Sequence, residues 1–294
     1  MVWVGESKMN GIIIIDKKKG YTSHDIVAIL RKALNIKRIG HIGTLDPNAQ
    51  GVLPILIGQA TKVSKYLMEH DKTYVATIKL GEKRDTGDSE GEIIEIRDTK
   101  ELKLEEKDIE KILYSFIGRQ KQTPPMYSAI KVSGKKLYEY AREGKKIEVQ
   151  KRDIEIYNIE LQKVEKDEIT FKLKCSKGTY IRTLCEDIAE KLGTVGYMKE
   201  LTRIEVDKFN IKDAIEIEDI KNDAKLVEKN LITIEEVFKD SESVILDQKK
   251  LELFLNGVML NVENENGIYR VYNDNRFIGL GEVKNNLLKR DVII

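Results

Sequence analysis

The sequence predicts an α+β fold with a small β unit at its C-terminal end. Helical and strand patterns are both present, but they do not alternate as a doubly wound parallel sheet requires. Beyond Asp240 the chain turns into short strand-like runs separated by turn residues. Its 294 residues, 41% of them apolar, supply core for one large domain and a small companion and exclude a disordered chain. The expected division is 9–240 for the main domain and 241–294 for the small one.

The elements follow in order. Residues 11–16, Gly-Ile-Ile-Ile-Ile-Asp, read as a short buried strand bounded by glycine and charge. Residues 23–34 carry apolar side chains at helical spacing (Ile26, Val27, Leu30, Leu34), with Ser23 as the expected N-cap. Residues 73–80 alternate as a strand and stop at Gly81, and residues 169–175 do the same. A helix is expected over 180–192, ended by Gly193. In the last stretch, 243–246, 269–272, 276–280 and 292–294 read as strands, with Asn273-Asp274-Asn275 as a hairpin turn.

Composition excludes several classes. Lys and Arg number 51 against 50 Asp and Glu, so the whole surface is not a general attractor of nucleic acid or anionic lipid. Two cysteines, Cys175 and Cys185, build no disulfide framework, and three histidines leave little for a zinc site. The run Ile12 to Ile15 is far short of the ~20 residues that span a bilayer, and the start Met1 to Met9 lacks a basic n-region and a long h-region. A cytoplasmic location is the expectation.

Charge is unevenly distributed. Residues 118–152 hold ten basic against three acidic side chains, whereas 82–111 hold seven against twelve and 212–240 five against nine. The basic block also carries Tyr127, Tyr138 and Tyr140 among cations that include Lys135 and Lys136. Cations neutralise phosphates and aromatic rings stack on bases, so this block suits an RNA-contacting arm; a solvated helix and loop is the plainer alternative.

The densest turn chemistry lies at Gly40-His41-Ile42-Gly43-Thr44-Leu45-Asp46-Pro47-Asn48-Ala49-Gln50-Gly51. Three glycines in twelve residues permit sharp backbone paths or close approach of a ligand. Asp46 directly before Pro47 is also what a helix N-cap looks like, so residue type alone leaves both readings open. No Walker loop, dinucleotide fingerprint or Cys/His ligand cluster is present, and Asp85-Thr-Gly-Asp88-Ser-Glu90 lacks calcium-loop spacing and reads as a turn.

Gly-His-Ile-Gly-Thr-Leu-Asp-Pro, followed by Ala-Gln-Gly-Val-Leu-Pro-Ile, resembles the signature of the tRNA pseudouridine synthase B family. Four more matches occur in order: Gly11 to Lys17, Lys72-Thr-Tyr74, the stretch from Gln122 through Arg142, and Cys175-Ser-Lys-Gly-Thr-Tyr-Ile-Arg182-Thr-Leu. They cover residues 9 to 240. The resemblance implies a mixed, mainly antiparallel sheet with a central cleft and a small PUA-like C-terminal domain. It implies an isomerase that converts a T-loop uridine of tRNA, at position 55, to pseudouridine as a cofactor-free monomer with no obligate protein partner. Asp46 is then the nucleophile, Tyr74 the active-site tyrosine and Arg182 the active-site arginine. His41, Gly43, Leu45, Tyr180, Leu201 and Lys17 are placed at the substrate by the same motifs, and Lys135 and Lys136 on the RNA-contacting arm. Two positions depart from the family pattern. Lys18 stands where a proline is usual, and the late motif reads Leu201-Thr202-Arg203 where Leu-Arg-Arg is common. The C-terminal stretch, with seven basic and eight acidic residues, is poorly charged for tight RNA contact.

The reaction implied breaks the bond from ribose to base nitrogen and rejoins the base through carbon, so neither redox cofactor nor metal is needed in principle. It requires an ionised carboxylate beside the nucleoside. A guanidinium at contact distance favours that form, which predicts an Asp46–Arg182 pair at the cleft floor. Tyr74 offers a flat face for a base that has left its stack, and Leu201 an apolar wall. A catalytically idle RNA-binding protein and a hydrolase with an aspartate nucleophile are the alternatives; intact Asp46, Tyr74 and Arg182 argue against the first, and the lack of a metal or general-base motif against the second.

Overall fold

A computed structural model of the chain describes residues 9–68, 70–100, 102, 105–145 and 147–294. Residues 1–8, part of the stretch on which the absence of a signal was read, and Lys146 of the basic block lie outside them. The main sheet has ten strands, eight of them in one path. In spatial order these are β8 (Ile215–Glu216), β1 (Gly11–Lys17), β2 (Gln50–Ile57), β7 (Gly196–Val206), β3 (Lys72–Leu80), β6 (Glu168–Cys175), β5 (Arg152–Glu165) and β4 (Gly118–Gln122). Only β8–β1 and β2–β7 are parallel pairs, so the sheet is mixed and mainly antiparallel, as expected.

The residue patterns explain the layers. In β1 four consecutive isoleucines are all buried because the strand is covered on both faces. Ile12 and Ile14 enter one apolar cluster, Ile13 and Ile15 another. Strands β3 and β6 instead alternate, sending Tyr74, Ala76, Ile78 and Phe171, Leu173, Cys175 to one face. Helix α2 (Ile181–Lys191) lays Ile181, Leu184, Cys185 and Ile188 on that face. The active-site candidates therefore converge where β3, β7 and the first turn of α2 meet.

Helix α1 (Ser23–Leu34) forms as expected, but its cap is Thr22, which accepts from the Asp25 backbone while Asp25 bonds back to Thr22. Ser23 is thereby free to bond elsewhere. Its hydroxyl accepts from the Leu45 N–H (2.9 Å) and donates to the Leu45 carbonyl (3.2 Å). Tyr180 precedes α2 as its N-cap residue in place of opening it.

The C-terminal sheet orders as β9 (Ser243–Ile245), β11 (Gly267–Asn273), β12 (Arg276–Lys284), β13 (Leu287–Ile293) and β10 (Leu260–Asn261). Asp274 takes a left-handed conformation in the β11–β12 turn, where the hairpin was expected. The expectation of strands and turns alone fails at Gln248–Leu255, which is helical and capped by Asp247. Part of this unit has its own core around Val244, Phe254, Val271 and Leu288. Leu280 and Val292 instead join a cluster with Ala60, Val63, Leu67 and Val237 of the larger part. Among the described residues no helix is long and apolar enough to cross a membrane.

Candidate active site

Asp46 sits on the loop between a short strand, Ile39–His41, and β2. The helix-cap reading is overturned, because Pro47 and Asn48 form a turn and the chain runs directly into a strand. The loop is clamped by its backbone. Ser23 holds Leu45, Lys17 Nζ (3.3 Å) and the Gly20 N–H (2.9 Å) donate to the Pro47 carbonyl, and Arg203 Nη2 donates to the Gly43 carbonyl at 2.8 Å. The Asp46 side chain, 40% exposed, is left to face the cleft.

Arg182, on the first turn of α2, places Nη2 3.2 Å from Asp46 Oδ2 and is almost wholly buried. Two further bonds hold it: Nη1 donates to the Thr86 carbonyl at 3.1 Å and Nη2 to the Tyr127 carbonyl at 2.8 Å. Asp88 Oδ2 lies 3.6 Å from Nη1, also buried, and Asp88 Oδ1 accepts from the Thr86 hydroxyl and the Glu90 N–H. The segment 85–90 is thus a turn, as expected, but one that delivers a buried second carboxylate to the same arginine. Such a multiply bonded guanidinium has one geometry available to it, which fixes the direction it presents to Asp46.

Above the pair lies a cavity of about 450 Å³ lined by Leu45, Asp46, Tyr74, Tyr180, Arg182 and Leu201, together with Tyr127, Ser128 and Tyr138. Burial pushes the Tyr74 phenol up, and Arg203 opposes that push. Tyr180 is fixed by Gln122, whose side chain accepts from its N–H and donates to its carbonyl. Burial likewise raises its phenol, with Ser128 opposing.

Five expected site residues do not line this cavity. Lys17 is fully buried, and its ammonium donates to the carbonyls of Tyr21, Lys18 and Pro47. Burial lowers it to about 8. It does not line the cavity and supports the loop from behind. Gly43 likewise supports the loop, giving its carbonyl to Arg203 and taking a positive φ. His41 packs edge-on against His24 at 5.3 Å; burial, then the charges of His24 and Arg203, lower it to about 4, so it is neutral at pH 7. Lys135 pairs with Glu143 and stands over Tyr140, whereas Lys136 lies 3.3 Å from the Tyr138 hydroxyl and so touches the cleft through its rim.

Residue type alone missed Asp88 and Arg203. Asp88 hides in a turn whose carboxylates resemble ordinary surface chemistry. Arg203 had a signal: a cation two residues after the buried Leu201, at a position where β7 alternates inward.

Among the described residues no group of three or more His, Cys, Asp or Glu side chains is placed to hold a metal ion. The chain shares its fold with a structure of an H/ACA ribonucleoprotein bound to a substrate RNA containing 2′-deoxyuridine: TM-score 0.69, 21% identity, 97% of this chain and 85% of that one. A Cbf5–Nop10–Gar1 complex aligns with TM-score 0.68 at 23% identity, over 97% and 83%. These two likenesses give the fold; the class, the pseudouridine synthases, which are isomerases, is given by the family models and named relatives. Family models place the chain within that class: TruB family pseudouridylate synthase (N terminal domain) matches 31–181, tRNA pseudouridylate synthase B C-terminal domain 182–247, and Pseudouridine synthase II TruB, C-terminal 243–290. A tRNA pseudouridine synthase B of Clostridium perfringens is 45% identical over 283 residues, covering 93% of this chain and 95% of the relative. That of Alkaliphilus oremlandii is 43% identical over 293 residues, covering 94% of each. The chain belongs to the TruB family of pseudouridylate synthases.

Proposed function

We propose that this chain, as a cytoplasmic monomer without a cofactor, isomerises the uridine at position 55 in the T-loop of tRNA to pseudouridine, with Asp46 as nucleophile. The observation that carries this reading is the 3.2 Å contact between Asp46 and Arg182 at the floor of a cavity walled by aromatic and aliphatic side chains. A uracil everted from the loop enters between Tyr74 and the apolar wall of Leu45 and Leu201; extrusion costs a few kcal/mol that stacking offsets. The carboxylate attacks while Arg182 holds it in line. Main and small domains divide near residue 240, and the basic segment 118–152 contacts the T-arm. Release of tritium from C5-labelled uridine in a T-arm stem-loop tests the reaction. An unlabelled supernatant after prolonged incubation would sink it, and would favour an RNA-binding protein on the same scaffold.

Two expected results follow from the roles of individual residues. Tyr74→Phe keeps the stacking face and removes the hydroxyl; if that hydroxyl moves a proton, single-turnover rate falls ~10²-fold or more with RNA affinity unchanged, whereas a preserved rate limits Tyr74 to stacking. The double charge reversal Lys135→Glu/Lys136→Glu is expected to raise apparent KM about tenfold, make KM less sensitive to salt, and leave kcat within about threefold. Steady-state kinetics at two salt concentrations checks it, and an unchanged KM removes this segment from the contact surface.

A further inference from the structure

Arg203 is a guanidinium with 1% of its surface exposed, in the middle of β7, and it does not line the cavity. Among the described residues no carboxylate pairs with it; its Nε donates to the Val52 carbonyl and its Nη2 to the Gly43 carbonyl, both at 2.8 Å. A buried cation without a counter-charge is costly to keep, so its surroundings should explain its presence. Three observations do so. Arg203 is the direct cross-strand partner of Tyr74 in the β7–β3 ladder, and the two side chains interact. It joins both ends of the Asp46 loop, since Gly43 precedes Asp46 and Val52 follows it. Two glycines flanking Asp46 pack on this residue. A Cβ on Gly43 would lie 3.2 Å from Arg203 Nη1, so the guanidinium needs that glycine. One on Gly51, its ladder partner in β2, would lie 2.2 Å from the Arg203 carbonyl oxygen, so the backbones of β2 and β7 are pressed together there. Both glycines have positive φ.

We infer that Arg203 is a positioning residue of the reaction: one buried guanidinium sets the Asp46 loop and the Tyr74 side chain relative to each other and supplies uncompensated positive charge beneath them. Asp46 and Tyr74 reach the cleft from elements far apart in sequence, and Arg203 is the group that touches the supports of both. Burial is the main cause disfavouring the protonated forms of Lys17, His41 and Lys72, and the charge of Arg203 adds to it at all three. As the Asp46 carboxylate bonds to the nucleoside, its negative charge passes to the base, and a positive charge held beneath the cleft floor favours that transfer. The inference rests on the proposed roles of Asp46 and Tyr74.

The test compares wild type, Arg203→Lys and Arg203→Met on a T-arm stem-loop RNA, with rates expressed per molecule competent to bind RNA. Lys keeps the charge but reaches one carbonyl where the fork reaches two. Arg203→Lys is expected to lower kcat about tenfold and Arg203→Met a hundredfold or more, each with KM within about threefold of wild type. A purely structural role predicts fewer binding-competent molecules that each turn over at the wild-type rate, and that result overturns the inference, as does loss of RNA binding in both variants. Asp46→Asn run alongside separates the two levels. Turnover by that variant sinks the reading of the site, whereas an inactive Asp46→Asn beside a fully active Arg203→Lys sinks only the role of Arg203.

Discussion

Asp46→Asn is expected to abolish pseudouridine formation, by about four orders of magnitude or more in kcat, while RNA affinity stays within a few-fold of wild type. The two side chains are nearly isosteric, and the loop is held by its backbone through Ser23, Lys17, Gly20 and Arg203, so the fold does not depend on the carboxylate. What the amide lacks is nucleophilic oxygen and the charge that meets Arg182. Single-turnover tritium release and a filter-binding titration on the same RNA measure both quantities. Product at even one-hundredth of the wild-type rate would remove Asp46 from the bond-forming step.

The second large effect is expected at Arg182→Met. Here activity and stability fall together, because one guanidinium satisfies the Thr86 and Tyr127 carbonyls and faces both Asp46 and Asp88. Asp88 is at least as buried as Arg182, and removing one partner of a buried pair typically costs about 3–5 kcal/mol. Denaturant unfolding should show that loss, and turnover should drop by about three orders of magnitude. Combining Arg182→Met with Asp88→Asn should recover part of the stability, since the orphaned charge is gone, and none of the activity. Full recovery of turnover in the double variant would contradict the assigned geometry.

The strands and helices that carry the site are legible in the sequence because periodicity records which face is buried. The alternation of 73–80 places Tyr74 on the same side as Ala76 and Ile78, and the helical spacing of 23–34 and 180–192 marks α1 and α2 to within a residue or two. The Asp46 loop stands out through its glycines. What stays hidden is what long-range packing decides. Lys17 has the composition of a surface residue, yet the chain folds Tyr21 and Pro47 over its ammonium and leaves no solvent beside it. Arg203 bonds Gly43 across 160 positions, and Asp88 meets Arg182 from a turn that looks like any acidic surface loop. The helix at Gln248–Leu255 escapes because eight residues between short strands give too few turns for a period to register.

The seam between the larger part and the C-terminal sheet has a practical consequence. Leu280 and Val292 fill the same cluster as Ala60, Val63 and Leu67, and Asp291 accepts from Lys65 and from the Tyr66 hydroxyl. A truncation ending at Asp240 strips the lid from those aliphatic side chains and leaves a greasy, aggregation-prone scar. Diminished tRNA processing by such a fragment therefore reports damage to the remaining body as much as any missing RNA contact. Point changes on the outer face of the sheet, at Arg276 or Lys289, are the cleaner way to ask what that appendage contributes.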